Sequence, residues 1–461
     1  MTNPGLPGLS AAIAQHVARV RFAQLSPSAV TATKRALLDA VGVMLAASGS
    51  CPEVQPFVAL ARHQGGRPEA RILGTGDRVP AALAALANGA MAHALDYEDA
   101  FDAASVHPNA SLIPAVLALA QARGPVDGRD LLTAIAVGCD LSCRLALSLR
   151  RPLEAGGWYP PPILGAFGAV AGAASLLKLT PSQVTDAFSL LLLQNSCPGE
   201  IKHSAETVIR AVREAFPAQA AVTVTLLAEA GITGFSEPLE GKAGFFRLFA
   251  DNAYAPQDIL QNLGTRWYIE SLSFKPWPCC RGTHACIELA QSLRAQHHFD
   301  WREIQAVVIE GSEVQVMLAE PLARKRAPHT AIDAKFSLPF TVAAALVHAD
   351  ITLDHFDTRG LQDAAVLALA ERCRFERVAE WGRDHATAGG LVILLRDGRR
   401  FAARTLSAVG CPDRPLDDAR LTAKFIDCAG RAAQPLTAAA AAALAARILD
   451  VERETDVGAC F

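Results

Sequence analysis

The chain is poor in charge, poor in aromatic residues, and free of the familiar phosphate- and metal-binding signatures. Of its 461 residues, 19% are Asp, Glu, Lys or Arg and 6% are aromatic. Lys and Arg form no long run and the formal net charge is −3. A nucleic acid needs a basic stripe to meet its phosphates, so it is excluded as the main partner. There is no P-loop and no G-x-S-x-G elbow. Gly74 and Gly76 do not begin a dinucleotide fingerprint, because Val79 holds the third glycine position and no βαβ frame surrounds them. No two Cys have C-x-x-C spacing and no Cys/His set has a zinc pattern. The opening residues MTNPGLPGLSAAIAQ lack a basic region followed by an apolar core, so no secretory signal is expected. Eleven scattered Cys, an odd count, then fit a reducing cytoplasm.

What the chain has in abundance is apolar residues, 51% of the total. The length predicts two or three domains, and the apolar excess predicts large buried interfaces, including between subunits. Residues 160–177, PPPILGAFGAVAGAASLL, are apolar enough to raise the question of a membrane span. The three opening prolines and the Gly/Ala content predict a helix packed at the centre of a soluble helical domain instead, with no membrane partner.

The spacing of apolar residues predicts about ten helices in the first 260 residues and almost no strand. Ser26-Pro27 reads as a cap and first-turn proline for a helix to about Ala47. Asp127 caps another to about Leu149, Thr180-Pro181 opens one ending near Asn195, and Glu206 to Glu229 reads as one long helix. After Gly264 the character changes. Trp267–Phe274 reads as extended, residues 281–295 and 334–348 as helices, and 304–309 (IQAVVI) as a strand. Asp397-Gly398, flanked by 391–395 and 400–405, is a hairpin signal. Two more helices, about 417–429 and 435–449, close the chain. The expected fold is mainly α: a large, discontinuous all-helical domain (1–265 and 410–461) with a smaller α+β domain (266–409).

One stretch carries the densest chemistry. Residues 81–120 read as an apolar helix ending near Leu95, an acidic loop, a His-Pro, and a second apolar helix that Asn109 or Ser111 can cap. Asp96, Glu98, Asp99 and Asp102 fall within seven positions. Asp96 sits at a helix C-terminus, where the dipole disfavours negative charge, so its pKa should move up toward that of a general acid or base. His107 lies just before a helix N-terminus, which favours anions. Asp96 and His107 therefore carry the expectation, and Glu98, Asp99 and Asp102 read as loop structure. His93, Asp96, Asp99 and His107 could hold a hard divalent ion, but nothing in their spacing fixes its geometry.

A second dense stretch is FKPWPCCRGTH, residues 274–284. Lys275, Arg281 and His284 bring two cations and an imidazole to a turn that opens a helix, a set suited to carboxylates. Tyr159, beside three prolines, could donate a proton or simply pack. Arg210 and Arg213 share a helix face, either to clamp a carboxylate or, as the sequence slightly favours, to face solvent.

These residues resemble the MmgE/PrpD family. The match rests on HALDYEDAF followed by HPNASLIPAVLALA, on FKPWPCCRGTH, and on LEGKAGFF and AKFSLPF. It runs from about residue 8 to 450 of this chain. The resemblance implies a homodimer with an inter-domain cleft and a small di- or tricarboxylate substrate. It also implies proton transfer next to a carboxylate with no organic cofactor and no metal. Members include 2-methylcitrate dehydratase, cis-aconitate decarboxylase and iminodisuccinate epimerase. Carried over by position, Asp96, His107 and Lys275 match the family's active-site motifs, and Arg281 and His284 match the end of the lysine stretch.

This chain departs from the pattern at Ala100, where many members have Thr, and at Tyr159, where many have His. It has Arg210-Ala-Val-Arg213 for a Lys-x-Leu-His, and Met317 near a tyrosine important in cis-aconitate decarboxylase. These changes argue against that decarboxylation. The expected activity is a lyase, a hydro-lyase acting on an acid such as 2-methylcitrate, as in propionate metabolism. Asp96, His107, Lys275 and Tyr159 would be catalytic, and Arg210, Arg213, Arg281 and His284 would bind substrate. The alternatives are an epimerase of an iminodisuccinate-like acid and a binding protein that has lost turnover.

Overall fold

The computed structural model describes residues 8–104, 106–204 and 207–461. It is 59% helix and 8% strand, so the chain is mainly α with a small α+β part. The helical part begins with α1 (Leu9–Arg19), α2 (Pro27–Ser50) and α3 (Gln55–Gln64). A short hairpin, β1 (Ala70–Arg71) and β2 (Arg78–Val79), leads into α4 (Ala81–Ala94), α5 (Pro108–Arg123), α6 (Gly128–Ser148), α7 (Pro160–Leu176) and α8 (Pro181–Leu192). Then come α9 (Ile209–Val212), α10 (Ala215–Glu229), α11 (Phe245–Ala250) and α12 (Pro256–Leu260). Ser26 accepts from the N–H of Ala29, Asp127 from Arg129 and Thr180 from Gln183, so three helix starts legible in the sequence are real caps.

The stretch with the membrane-like composition is α7, and only Ser175 of its residues is not buried. It lies at the centre of the helical part, against α5, α6, α8 and α10. Its small residues let α6 approach closely: a Cβ on Gly168 would lie 2.4 Å from the Gly138 carbonyl and 2.0 Å from Ser142 Oγ. Each large aliphatic side chain buried in this layer contributes about 1.5–3 kcal/mol.

The α+β part contains α13 (His284–His297), β3 (Ile304–Gly311), α14 (Leu322–Arg326), α15 (Ala331–Lys335), α16 (Leu338–His348) and α17 (Ala364–Ala370). It closes with β4 (Cys373–Arg377), β5 (Gly389–Leu395) and β6 (Arg400–Thr405). The sheet order is β4-β3-β5-β6, with β3 and β4 parallel and the other pairs antiparallel. The β5–β6 hairpin turns at Asp397-Gly398, where Gly398 takes φ 90°. Helix α13 packs on β5 and β6, and α16 on β4. The last two helices, α18 (Asp418–Gly430) and α19 (Ala438–Leu449), return to pack on α2. On that packing we propose that 410–461 belongs with the helical part.

Four local expectations are corrected. The helix expected from 206 to 229 is two helices; its first position, Glu206, lies outside the described residues. Pro217 has no N–H to give the Arg213 carbonyl, so the helix restarts at Ala215. The helix expected from 334 to 348 breaks in the same way. Pro339 cannot reach the Lys335 carbonyl, and Ser337 caps the new start at α16. Residues 268–271 form a 3₁₀ turn rather than an extended run, fixed where the Tyr268 N–H donates to Asp140 Oδ1 at 3.0 Å. Finally, neither Asn109 nor Ser111 caps α5. His107 holds the cap position, while Asn109 donates to Asp99 and Ser111 to Glu214.

Candidate active site

Helix α4 is apolar on nearly every face, so its C-terminus is buried and the acidic loop after it is buried too. Asp96, Glu98 and Asp99 are each 1% exposed. Burying three carboxylates is costly unless they find partners. Asp96 finds Lys275, which is fully buried and donates to its Oδ1 at 2.5 Å and to its backbone carbonyl at 3.0 Å. Lys275 reaches across because Ala100 and Ser273 pair in both directions, at 2.9 and 2.8 Å, aligning the loop with the lysine turn.

Burial pushes the Asp96 pKa up, but the Lys275 ammonium and, behind it, His93 and His107 together outweigh burial and hold the carboxyl below its usual range. The expectation of a raised Asp96 pKa is thus overturned: a full charge in hydrogen-bond contact dominates the partial charge of a helix end. Burial likewise opposes charge on Lys275, and Asp96 and Glu98 keep its pKa above the usual value.

Glu98 joins two imidazoles. It contacts His93 Nδ1 directly, lies 3.2 Å from His107 Nδ1, and sits 4.0 Å from Lys275 Nζ. His107 Nδ1 also lies 2.8 Å from the Asp99 carbonyl. A carbonyl only accepts, so Nδ1 carries the hydrogen and Nε2 keeps the lone pair. Burial pulls the His107 pKa down to about 3, with Glu98 working the other way. Asp99 is pushed up to about 8 by burial, although Asn109 donates to it.

Asp96 and His107 line a cleft of about 570 Å³ between the helical part and the α+β part, together with Tyr159, Lys202, Arg210 and Arg281. Tyr159 stands at the start of α7 with three cations around its ring. Lys202 Nζ is 5.2 Å from the ring centroid, and the Arg210 and Arg213 guanidinium carbons are 5.8 and 5.0 Å away. The Arg210 guanidinium carbon lies over the Phe336 ring, 3.5 Å from its centroid. Arg281 is held by Asp102, 3.1 Å away, and donates to the carbonyls of Val409 and Ala408.

Three expected site residues stand back from the cleft, and the arginine pair does not face solvent. Arg213 is 3% exposed and pairs with buried Glu214 at 3.1 Å, because α9 turns its side chain into the helical core. His284 is fully buried, with Nε2 on the Cys279 carbonyl at 3.0 Å and Nδ1 3.4 Å from Arg281, so it supports Arg281 rather than lining the cleft. Lys275 also sits behind the surface and meets the cleft through Asp96. Ala100 and Met317, two positions where the chain departs from its family pattern, both line it.

Glu98 and His93 are the residues the sequence reading undervalued. Their signal was the apolar α4: a loop leaving a helix with no solvent face has no solvated carboxylates. One ligand atom each from His93, Asp96 and Glu98 come within 4.8 Å of one another, close enough for a cation, but Asp96 already holds the Lys275 ammonium there. A larger cavity of about 870 Å³ lies beyond Arg213, lined mainly by apolar side chains such as Leu191, Ile209 and Phe216.

The MmgE/PrpD N-terminal domain matches residues 11–257 and the MmgE/PrpD C-terminal domain matches 277–449. A cis-aconitate decarboxylase-like protein of Aspergillus oryzae is 25% identical over 429 residues, covering 87% of this chain and 87% of its own. The cis-aconitate decarboxylase of Mus musculus is 24% identical, over 87% of this chain and 82% of its own. That of Homo sapiens is 24% identical, over 91% and 87%.

Proposed function

The chain belongs to the MmgE/PrpD family, and from that footing we propose that it is a lyase acting on a small di- or tricarboxylate, by removal of a proton next to a carboxylate. The observation that carries the reading is the fixed tautomer of His107. Its Nδ1–H is spent on the Asp99 carbonyl, which leaves Nε2 as a base on a ring that lines the cleft. Burial, with smaller help from Lys275 and Arg213, favours the neutral imidazole. Substrate carboxylates reverse the field, raise the His107 pKa and make it a better base when substrate is bound.

The finer reaction we propose is loss of water. Arg210, Arg281 and Lys202 neutralise the substrate carboxylates and the charge that develops beside them once the proton leaves. His107 Nε2 takes the α-proton, and Glu98, 3.2 Å behind it, stabilises the imidazolium. Tyr159 gives its proton to the departing hydroxyl, which leaves as water, and the surrounding cations stabilise the phenolate. Solvent then carries the proton from His107 back to Tyr159. Asp96, ionised by Lys275, keeps the floor of the cleft polar and orients the substrate hydroxyl.

The second reading is decarboxylation, favoured by the names of the relatives. In it the same donors would protonate carbon after CO₂ leaves. Against it stand Ala100 and Met317, which alter the cleft wall itself. Proton NMR in deuterated water over citrate-like, aconitate-like and aspartate-like acids separates the readings. Water loss gives a new alkene signal with no loss of carbon. Carbon loss supports decarboxylation, and no change or exchange in any acid refutes both.

The chain also works as a homodimer in a reducing cytoplasm on this proposal. Exposed Leu193, Ile209 and Phe216 support the first, and eleven free cysteines the second.

A further inference from the structure

Asp96 has a backbone uncommon for a residue with a Cβ, although Asp tolerates it better than most. Its φ is 48°, in the left-handed region, on a residue with a Cβ and no glycine's freedom. Such a conformation persists only where the surroundings over-determine it. Here the surroundings are three lysines, two of them buried and the third, Lys424, half-buried. The carbonyl of Leu95 accepts from Lys335 Nζ at 2.7 Å, that of Asp96 from Lys275 Nζ at 3.0 Å, and that of Tyr97 from Lys424 Nζ at 2.7 Å. Three consecutive carbonyls of the acidic loop are thus each held by a different ammonium.

Two of those lysines reach the other half of the site as well. Lys335 also donates to the Pro278 carbonyl at 3.1 Å, and Lys424 to the Lys275 carbonyl at 3.0 Å. The Tyr97 hydroxyl adds a bond to the Pro276 carbonyl at 3.1 Å. Each lysine therefore bridges the acidic loop to the lysine turn, one on either side of the Asp96–Lys275 contact. They come from opposite ends of the fold. Lys335 is the last residue of α15, is 2% exposed, and lies 4.6 Å from the Phe356 ring centroid. Lys424 comes from α18, pairs with Asp39 of α2 at 2.7 Å, and lies 3.7 Å from the Tyr97 ring centroid.

We propose that Lys335 and Lys424 are positioning residues of this enzyme, which staple the acidic loop to the lysine turn and hold Asp96 in its left-handed backbone against Lys275. A buried lysine whose ammonium meets carbonyls and an aromatic face but no carboxylate, as Lys335 does, stabilises the fold poorly for its desolvation. Its geometry is explained by what it aligns. The inference rests on reading Asp96 and Lys275 as part of the reacting site.

The test compares Lys335→Met with the double variant Asp39→Asn/Lys424→Met, which removes both charges of the α2–α18 pair and leaves no unpaired carboxylate. Both should keep the wild-type far-ultraviolet spectrum and lose about tenfold or more in kcat, with KM within about twofold, as expected when reacting groups are misaligned but substrate contacts survive. Lys335→Ala should regain turnover with n-propylamine, which matches the atoms removed, while the wild type should not respond. Wild-type kcat in either folded variant overturns the proposal. Should Lys335→Met not fold, Lys335→Gln, which keeps an N–H donor on a shorter arm, takes its place with the same criteria. Crystal structures of the variants supply a readout that needs no substrate. A negative φ at Asp96 or loss of its Lys275 contact supports the proposal, and an unchanged loop refutes it. If the wild type turns over no acid at all, the lyase reading fails, and the loop geometry still decides the role of the two lysines.

Discussion

Removing Lys275 is the sharpest test of the charge arrangement at the site. In Lys275→Met the side-chain volume is nearly kept, but Asp96, 1% exposed, loses both the ammonium at 2.5 Å and the donor to its carbonyl. Leaving a buried charge without its partner costs about 3–5 kcal/mol. The loss should depend on pH with a defined sign. In the wild type the Asp96 pKa is depressed, so its contribution is present above the unfolded carboxylate pKa and is lost as pH falls through the folded one. The Lys275 pKa is raised, so its contribution is present below the unfolded lysine pKa and is lost as pH rises through the folded one. The pair is therefore worth most between about pH 4 and pH 10. In the variant Asp96 has lost its ammonium while burial still raises its pKa, so the variant gains on the wild type as the solution is acidified. Urea unfolding at neutral pH and at pH 5, followed by circular dichroism, measures both effects. Asp96→Asn/Lys275→Met should recover most of the loss at neutral pH, because neither residue then brings an unpaired charge into the core. A single variant that costs less than about 1 kcal/mol, the scale of a surface pair, would sink the reasoning, as would a double variant no better than the single one.

Other consequences can be measured separately. Tyr159→Phe should lower kcat by about 10²–10⁴, the usual range for a general acid, while calorimetry shows tricarballylate binding intact; unchanged kcat would make Tyr159 a packing residue. Asp99→Asn should gain thermal stability relative to the wild type as pH rises from about 4 to 8 and then level off, because Asp99, pushed up to about 8, binds a proton on folding that the Asn does not need. Gly168→Ala should lower stability by about 1–3 kcal/mol, since its Cβ would meet the Gly138 carbonyl at 2.4 Å where α6 and α7 touch; an unchanged melting temperature would mean the two helices part freely.

The fold was legible wherever a local signal and the global packing agreed. Ser26-Pro27, Asp127 and Thr180-Pro181 each put a capping oxygen before a helix start, and each is a cap in the structure. The Asp397-Gly398 turn joins β5 to β6 because the residues on either side alternate and pair. Legibility failed where a proline falls just inside a helix start. Pro217 and Pro339 read as tolerable within long apolar runs, yet each deprives the carbonyl four residues back and breaks the helix. Those two breaks turn Arg213 inward and end α15 at Lys335, so both bear directly on the site.

The site itself was half legible, for a reason that the lysines make plain. Asp96, His107, Lys275 and Arg281 announce themselves by local density in two short stretches, and the cleft brings three of them to its wall and the fourth, Lys275, to the pair behind it. What a sequence read locally underrates is burial. Glu98, Asp99 and Asp102 looked like a solvated acidic turn because carboxylates in loops usually are. Once α4 is known to have no solvent face, each must find a partner, and each does: His93 and His107, Asn109, and Arg281. The same argument extends to Lys335 and Lys424, whose nearest partners in space are hundreds of residues away in sequence. A buried ammonium facing carbonyls is a poor source of stability and a good source of alignment. The two lysines flank Asp96 differently, Lys335 through carbonyls and Lys424 through carbonyls and the Asp39 carboxylate, and neither contact could be read from the residues around Asp96 alone.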